Sequence, residues 1–446
     1  MNIIIAGDGE VGFHLAKSLS ELDHDITVVD PHQDLLRMLE TEIDILTITG
    51  YSTSIDVLTE ANIENCDLLI SVLHDESINL LTCVLGKKFG AKRTIARINN
   101  IEYLKPENKK IFKDLGVDEV VSPERIAAKE IINLLEKNSA TEIFNFSKDL
   151  LSIYLIRIDE NAKVIGKTMR DIFLENTQIE ARIVAILRHS KTIIPNLTTT
   201  FQKNDLAYVI SKPEDMGIIN ILGGKKDFHI NSVIIAGGGR IGTKTAQTLE
   251  EKMSVKLIDM DKERCYGLTN TLNNTLIING DATDIDLLED EGIDKTDAFI
   301  AVTNSTETNI LTCLHAKKHG VKKTIALVEN IDFIDLSQDI GIDTIINKKL
   351  ITASYIARFT VKGEASSSKW LSGTNAEVIE FVVHEKAKAT KKPIYALDIP
   401  EGATIGGIIR GDEAIIPKRN FQIEANDKVV VFTLPKVLSK IAKLFN

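Results

Sequence analysis

The sequence predicts an α/β protein with two doubly wound, Rossmann-like parallel-sheet domains, each followed by a small α+β domain. Two observations carry this. An apolar run, Ile3-Ile4-Ile5-Ala6, meets a glycine turn, Gly7-x-Gly9-x-x-Gly12, and an amphipathic segment from Phe13 to Leu22, and the device recurs at Ser232 to Gly242. Later landmarks repeat at an offset of 230 positions: Gly50 with Gly280, Asp67 with Asp297, Asn79 with Asn309, Thr82-Cys83 with Thr312-Cys313, and Thr94-Ile95-Ala96 with Thr324-Ile325-Ala326. So long a period marks duplication of a whole unit rather than a solenoid.

In the first unit, strands are expected at Asn2–Ala6, Ile26–Asp30, Ile45–Thr49, Leu68–Leu73, Thr94–Ile98 and Glu119–Val121. Helices are expected at Val11–Glu21, Gln33–Glu40, Ser54–Ala61, Glu76–Phe89, Tyr103–Leu115 and Pro123–Glu136. Short apolar strands alternating with helices indicate a parallel sheet covered on both faces. Right-handed crossovers then give the doubly wound arrangement. Ser122 and Pro123 suit the N-cap and first position of the last helix.

Past about residue 140 the pattern becomes β-rich, with strands at Leu151–Ile158, Ala181–Leu187 and Leu206–Ile210 and a short helix at Thr168–Phe173. Gly166-Lys167-Thr168 lacks the upstream glycine of a phosphate-binding loop and reads as a helix start. A helix near Pro213–Leu222 leads to a linker at Gly223–Asp227, and Gly363 to Trp370, rich in Ser and Gly, reads as a second joint. Ile194-Pro195 followed by Asn204-Asp205 is echoed by Ile416-Pro417 followed by Asn426-Asp427, so the small module is duplicated too. The expected domains are 1–137, 141–223, 231–362 and 370–446.

The totals exclude several classes. A net charge of −11 argues against a nucleic-acid surface. No apolar run approaches the roughly 18 residues of a membrane helix. The N-terminus enters a strand pattern without the flanks of a signal peptide, so a cytoplasmic protein is expected. Cys66, Cys83, Cys265 and Cys313 form no C-x-x-C and no metal-ligand spacing, and they read as core residues.

The chemistry concentrates at the strand ends. The loop Gly7-Asp8-Gly9-Glu10-Val11-Gly12 follows a strand and opens a helix, and Asp30 ends the next strand 18 positions on. That combination indicates a nucleotide cleft. Gly7 permits the turn, Gly9 lets backbone approach a pyrophosphate, and Gly12 lets helix pack on strand, while the helix N-terminus faces phosphate. Asp30 should accept from an adenosine ribose and repel a 2′-phosphate, favouring NAD(H) or an adenine nucleotide. Gly237-Gly238-Gly239-Arg240-Ile241-Gly242 and Asp259 meet the same test, with Arg240 in the place of Glu10. Gly50-Tyr51-Ser52 and Gly280-Asp281-Ala282 follow the third strands, where adenine would sit, although simple turns explain each equally well. Leu73-His74-Asp75 and Thr303-Asn304 follow the fourth strands. Arg97, inside an otherwise apolar fifth strand, needs a partner: a phosphate in the cleft or a buried carboxylate. Its counterpart is Leu327, so the two sites should differ.

A dehydrogenase of this fold would need an acid/base group over the nicotinamide. His189 and His384 have no match in the repeat, and His74 is matched by Asn304. No catalytic group is duplicated.

The order of the four modules, the loop Gly7–Gly12, Asp259-Met-Asp-Lys-Glu-Arg-Cys265, Gly280-Asp-Ala-Thr-Asp284, Thr303-Asn-Ser-Thr-Glu-Thr-Asn309 and the Ile-Pro…Asn-Asp endings together resemble the TrkA family, cytosolic regulatory subunits of Trk-type potassium uptake systems. The resemblance spans the chain. It implies two RCK/KTN nucleotide-binding domains, each followed by a TrkA-C domain, in a homotetrameric ring docked beneath a TrkH-type membrane channel. It implies NAD(H) and ATP/ADP as regulatory ligands rather than substrates, peripheral attachment to the membrane, and no enzymatic activity. The glycine loops, Asp30, Asp259 and Arg97 take the family's binding positions. Leu327 departs from the first unit's arginine, so an adenine nucleotide alone is expected at the second site. The first unit's Gly50-Tyr-Ser departs from Gly-Asp-Ala, which assigns adenine contacts there to Tyr51 and Ser52. The apolar face Ile126, Ala127, Ile131 and Leu134 is expected either to pair such domains or to pack on its own sheet.

Overall fold

The computed structural model describes every residue except 8, 21–23, 137–141, 148–149, 176–179, 189–190, 216–222, 225–228, 358, 360–364, 371–375 and 446. The chain divides into two compact units, one of residues 1–127 and 347–361 and one of residues 128–346 and 362–446.

The first unit holds a six-stranded parallel sheet of β1 (Asn2–Ala6), β2 (Asp25–Asp30), β3 (Leu46–Thr49), β4 (Leu68–Ser71), β5 (Thr94–Arg97) and β6 (Glu119–Val121), in the order 3-2-1-4-5-6. Central β1 and β4 bury nearly every side chain. A parallel strand covered on both faces has no solvent side on which to alternate. The helices are α1 (Glu10–Ser20), α2 (Gln33–Glu42), α3 (Ile55–Glu60), α4 (Glu76–Lys88), α5 (Pro106–Asp114) and α6 (Pro123–Glu136). The helix expected over Tyr103–Leu115 is broken: a 3₁₀ turn at Ile101–Leu104 precedes α5, which starts on Pro106. Proline has no N–H for a preceding turn but suits a first helical position. A helix from the far end of the second module, Lys348–Ala357, packs against α1, and Arg93 donates to the Phe359 carbonyl.

The second unit repeats the parallel sheet with β12 (Ser232–Ala236), β13 (Ser254–Asp259), β14 (Thr275–Asn279), β15 (Ala298–Ala301), β16 (Lys323–Leu327) and β17 (Thr344–Ile346), ordered 14-13-12-15-16-17. It also carries two five-stranded sheets. One joins β7 (Glu142–Phe146), β8 (Leu151–Arg157), β9 (Ala181–Arg188), β10 (Lys191–Ile193) and β11 (Leu206–Ser211). The other joins β18 (Ala365–Trp370), β19 (Glu377–Val382), β20 (Ala403–Arg410), β21 (Glu413–Ile415) and β22 (Lys428–Thr433). The small sheets share one core, in which Leu151, Tyr208 and Ile210 meet Val378, Val430 and Phe432. A Cβ on Gly406 would lie 2.0 Å from Ile210 Cδ1, so glycine lets the strands approach.

The joint expected at Gly363 to Trp370 is strand β18 over Ala365–Trp370, antiparallel to β19; an edge strand needs one backbone partner and tolerates polar side chains. Gly363 lies outside the described residues, as do His189, Lys225 to Asp227 and the body of the helix expected to Leu222. Of the two alternatives for the apolar face of α6, burial within the chain holds for Ala127, Ile131 and Leu134, and Ile126 is half-buried.

Candidate nucleotide-binding clefts

Each parallel sheet reverses its winding between its first and fourth strands, which opens a crevice at the carboxyl ends. The glycine loops lie there. Gly7 and Gly237 have φ of +113° and +111°, a region that excludes most side chains. A Cβ on Gly12 would stand 1.8 Å from the Gly7 carbonyl oxygen, and on Gly242 1.9 Å from that of Gly237. These four glycines are demanded by the fold itself.

Gly9 and Gly239 differ. A Cβ on either would meet no atom of the described residues within 4 Å beyond its neighbours in the chain, and neither has a positive φ. Packing does not require glycine there. Gly239 is the N-cap of the helix Arg240–Leu249 and makes no side-chain cap, so the first N–H groups of that helix have no capping side chain. The space and free donors suit an anionic phosphate. Asp8 lies outside the described residues, as does the side chain of Glu10. Val11 is half-buried, Arg240 is exposed at the second loop, and Ile241 points into the core, so its side chain is not available to a ligand.

Arg97 ends β5 with its Nε buried and without a hydrogen-bond partner. No carboxylate pairs with its guanidinium among the described residues. Leu327, its counterpart, is buried. The main chain at both positions is braced alike: the Asn79 amide donates to the Arg97 and Leu73 carbonyls at 2.9 Å, and Asn309 donates to Leu327 and Thr303 at 2.8 and 3.1 Å. Their side-chain oxygens accept from the Leu73 and Thr303 N–H groups at 2.9 Å. These buried asparagines hold the loops after the fourth strands against the fifth. The repeat marked both positions, but without packing it showed no role for them.

The acids at the ends of the second strands are buried, and their partners differ. Asp30 Oδ1 accepts the His32 N–H at 2.9 Å and lies 2.7 Å from His32 Nδ1. Asp259 accepts the Gly238 N–H at 2.6 Å and the Asp261 N–H at 2.8 Å, and Arg264 Nη1 lies 3.1 and 3.2 Å from its two oxygens. The pair with Asp259 holds Arg264 more basic than an ordinary guanidinium.

The adenine-side residues divide by what their side chains touch. Gly50 and Gly280 make room for packing, since a Cβ would stand 2.5 Å from Val57 Cγ2 and Leu287 Cδ2. Ser52 is buried with its hydroxyl 2.8 Å from that of Thr82, and Ala282 lies in the core, so both side chains are engaged within the fold. Tyr51 is exposed, and Asp281 closes a turn by accepting from Thr283. His74 and Asn304 are exposed. Asp75 caps α4, accepting from Ser77 and Ile78 N–H at 2.7 and 3.3 Å, which holds its carboxyl below the usual range. Burial pushes the Cys66 thiol up to about 11 and raises those of Cys83, Cys265 and Cys313.

The TrkA-N domain matches residues 3–123 and 233–348, and the TrkA-C domain matches residues 153–218 and 378–446. The chain is 32% identical to Trk system potassium uptake protein TrkA homolog 1 of Methanosarcina mazei, with each chain wholly covered. It is 32% identical to Trk system potassium uptake protein TrkA of Vibrio alginolyticus over 100% of this chain and 98% of that one. Among solved structures, the GsuK RCK domain shares its fold at a TM-score of 0.60 and 18% identity, covering 99% of this chain and 94% of that one. The GsuK channel bound to NAD aligns at the same score and identity, over 100% of this chain and 78% of that one. With both domain models present twice and relatives matched along its length, the chain belongs to the TrkA family of Trk-system potassium uptake proteins.

Proposed function

We propose that the chain is a nucleotide-sensing regulatory subunit, with four modules bounded near 1–137, 141–223, 231–362 and 370–446. It takes NAD(H) and ATP or ADP in its first cleft and an adenine nucleotide in its second, and gates a TrkH-type potassium channel. The observation that carries the reading is the pair of open glycine positions, Gly9 and Gly239, together with the unpartnered Arg97 Nε at the first cleft. Asp30 would hold the ribose, the Gly7–Gly12 loop the pyrophosphate, and Arg97 a phosphate oxygen. NAD(H) supplies redox chemistry in enzymes; these residues would bind and orient it, and His74 of the first cleft is matched by Asn304 in the second. A ligand shifts such a subunit between states only by its differential affinity for them. A homotetrameric ring at the cytoplasmic membrane face would carry the shift to the channel.

The test is reconstitution. The chain and a TrkH-type channel are placed in vesicles, and potassium flux is followed while NADH, NAD, ATP and ADP are varied. Nucleotide-dependent flux supports the reading. Steady oxidation of NADH by simple carbonyl substrates at ordinary enzymatic rates refutes it.

A further inference from the structure

We propose that Arg264 is a specificity-determining latch on the second cleft: it occupies the acceptor positions of Asp259 that a ribose would use, so nucleotide binds there only by displacing it. The inference rests on the nucleotide reading of the clefts and names what regulates one of them.

An ionised carboxylate offers about four acceptor positions. At Asp259, Oδ2 takes the Gly238 N–H and Arg264 Nη1, and Oδ1 takes the Asp261 N–H and the same Nη1. The donor set is complete without a ligand. Arg264 is also tied to Asp261, with 3.4 Å between Nη2 and Oδ2. Its side chain is 45% exposed while that of Asp259 is only 5% exposed. The lid is therefore a solvent-facing cation on a buried acid, and it can swing away without leaving a buried charge of its own.

The first cleft has no arginine at the corresponding place. Counting five positions from each acid, Leu35 stands where Arg264 stands, and Leu35 is exposed. The loops before both helices share one bond, since His32 and Asp261 each donate a backbone N–H to the acid, but at Asp30 the His32 ring also lies on the acid, with Nδ1 2.7 Å from Oδ1. The two clefts thus differ at both ends: Arg97 against Leu327 at the phosphate, and Leu35 against Arg264 at the ribose. Both differences weaken the second cleft for an adenosine diphosphate.

The experiment titrates the full chain with ADP and with 2′,3′-dideoxy-ADP, which has no ribose hydroxyl to compete for the acid. Peptide-resolved hydrogen exchange over 7–30 and 237–259 reads the clefts separately. Arg264→Leu should tighten ADP at the second cleft about two- to tenfold, the span from a half-exposed ion pair to a charge-assisted hydrogen bond. Dideoxy-ADP should not change there, and neither ligand should change at the first cleft. The reciprocal Leu35→Arg should weaken ADP at the first cleft while sparing dideoxy-ADP. The latch is overturned if ADP and dideoxy-ADP move together, or if Arg264→Leu weakens ADP. Protection at both loops with no response to either variant overturns the latch alone. Protection at neither loop in any chain removes the nucleotide reading and the latch with it.

Discussion

Replacing Arg97 with leucine, the residue of the second module at the same place, should move stability and binding in opposite directions. In the ligand-free chain the Nε of Arg97 is buried without a partner, and an unsatisfied buried donor costs about 1–3 kcal/mol. Leu327 shows that the fold accepts a buried leucine at the end of this strand. Arg97→Leu should therefore raise the stability of the first unit by about 1 kcal/mol, or roughly 3–4 °C in melting temperature. A hydrogen bond to a charged phosphate is worth about 1.5–3 kcal/mol, so NADH or ADP should bind roughly tenfold to a hundredfold more weakly. Scanning calorimetry without nucleotide and isothermal titration with it measure the two terms on the same protein. A fall in melting temperature with unchanged affinity would refute the reasoning and make Arg97 a structural residue. Leu327→Ala in the second module should cost stability through a cavity and change nucleotide affinity far less.

Three further outcomes follow from the geometry. Gly9→Ala should change the unfolding free energy by no more than about 1 kcal/mol yet weaken nucleotide binding, whereas Gly12→Ala, with its Cβ 1.8 Å from a carbonyl oxygen, should prevent the first unit from folding; calorimetry and titration separate them. Asn79→Ala strips partners from the half-buried Leu73 N–H and Arg97 carbonyl and should destabilise the first unit by about 2–4 kcal/mol in urea unfolding; a loss below 1 kcal/mol would mean that the loop is held by something else. Burial alone would raise the Glu250 carboxyl, but the Asn274 N–H, the Thr275 hydroxyl and the Asn273 N–H outweigh it and hold it below its ordinary value of 4.5. A depressed carboxyl stabilises the fold above its unfolded pKa and loses that contribution as pH falls through its folded one. The stability gap between the native chain and Glu250→Gln, measured by urea unfolding, should thus be full at pH 7 and shrink below pH 4.5; a gap that widens in acid would contradict the sign.

The parallel sheets and their order were legible because their determinants are local. Apolar strands such as Asn2–Ala6, the glycine turn and the intervening helices recur 230 positions apart, and each copy specifies the same winding. The acids at the strand ends were legible for the same reason, since a strand, a turn and a fixed spacing place them. Position alone does not say what a side chain touches. Asp30 and Asp259 look alike in sequence, yet Asp259 meets an arginine across both oxygens while Asp30 meets the ring of His32 at one. Ser52 reads as a ligand contact until Thr82, thirty residues on, is found against its hydroxyl. Gly9 and Gly12 are the same residue in one motif, and only the surrounding atoms show that one is required by packing and the other left open to the crevice. Strand, turn and repeat are set by neighbours in the chain and could be read from it; the free donor, the filled acceptor and the open space depend on distant residues, and the tertiary structure alone decided them.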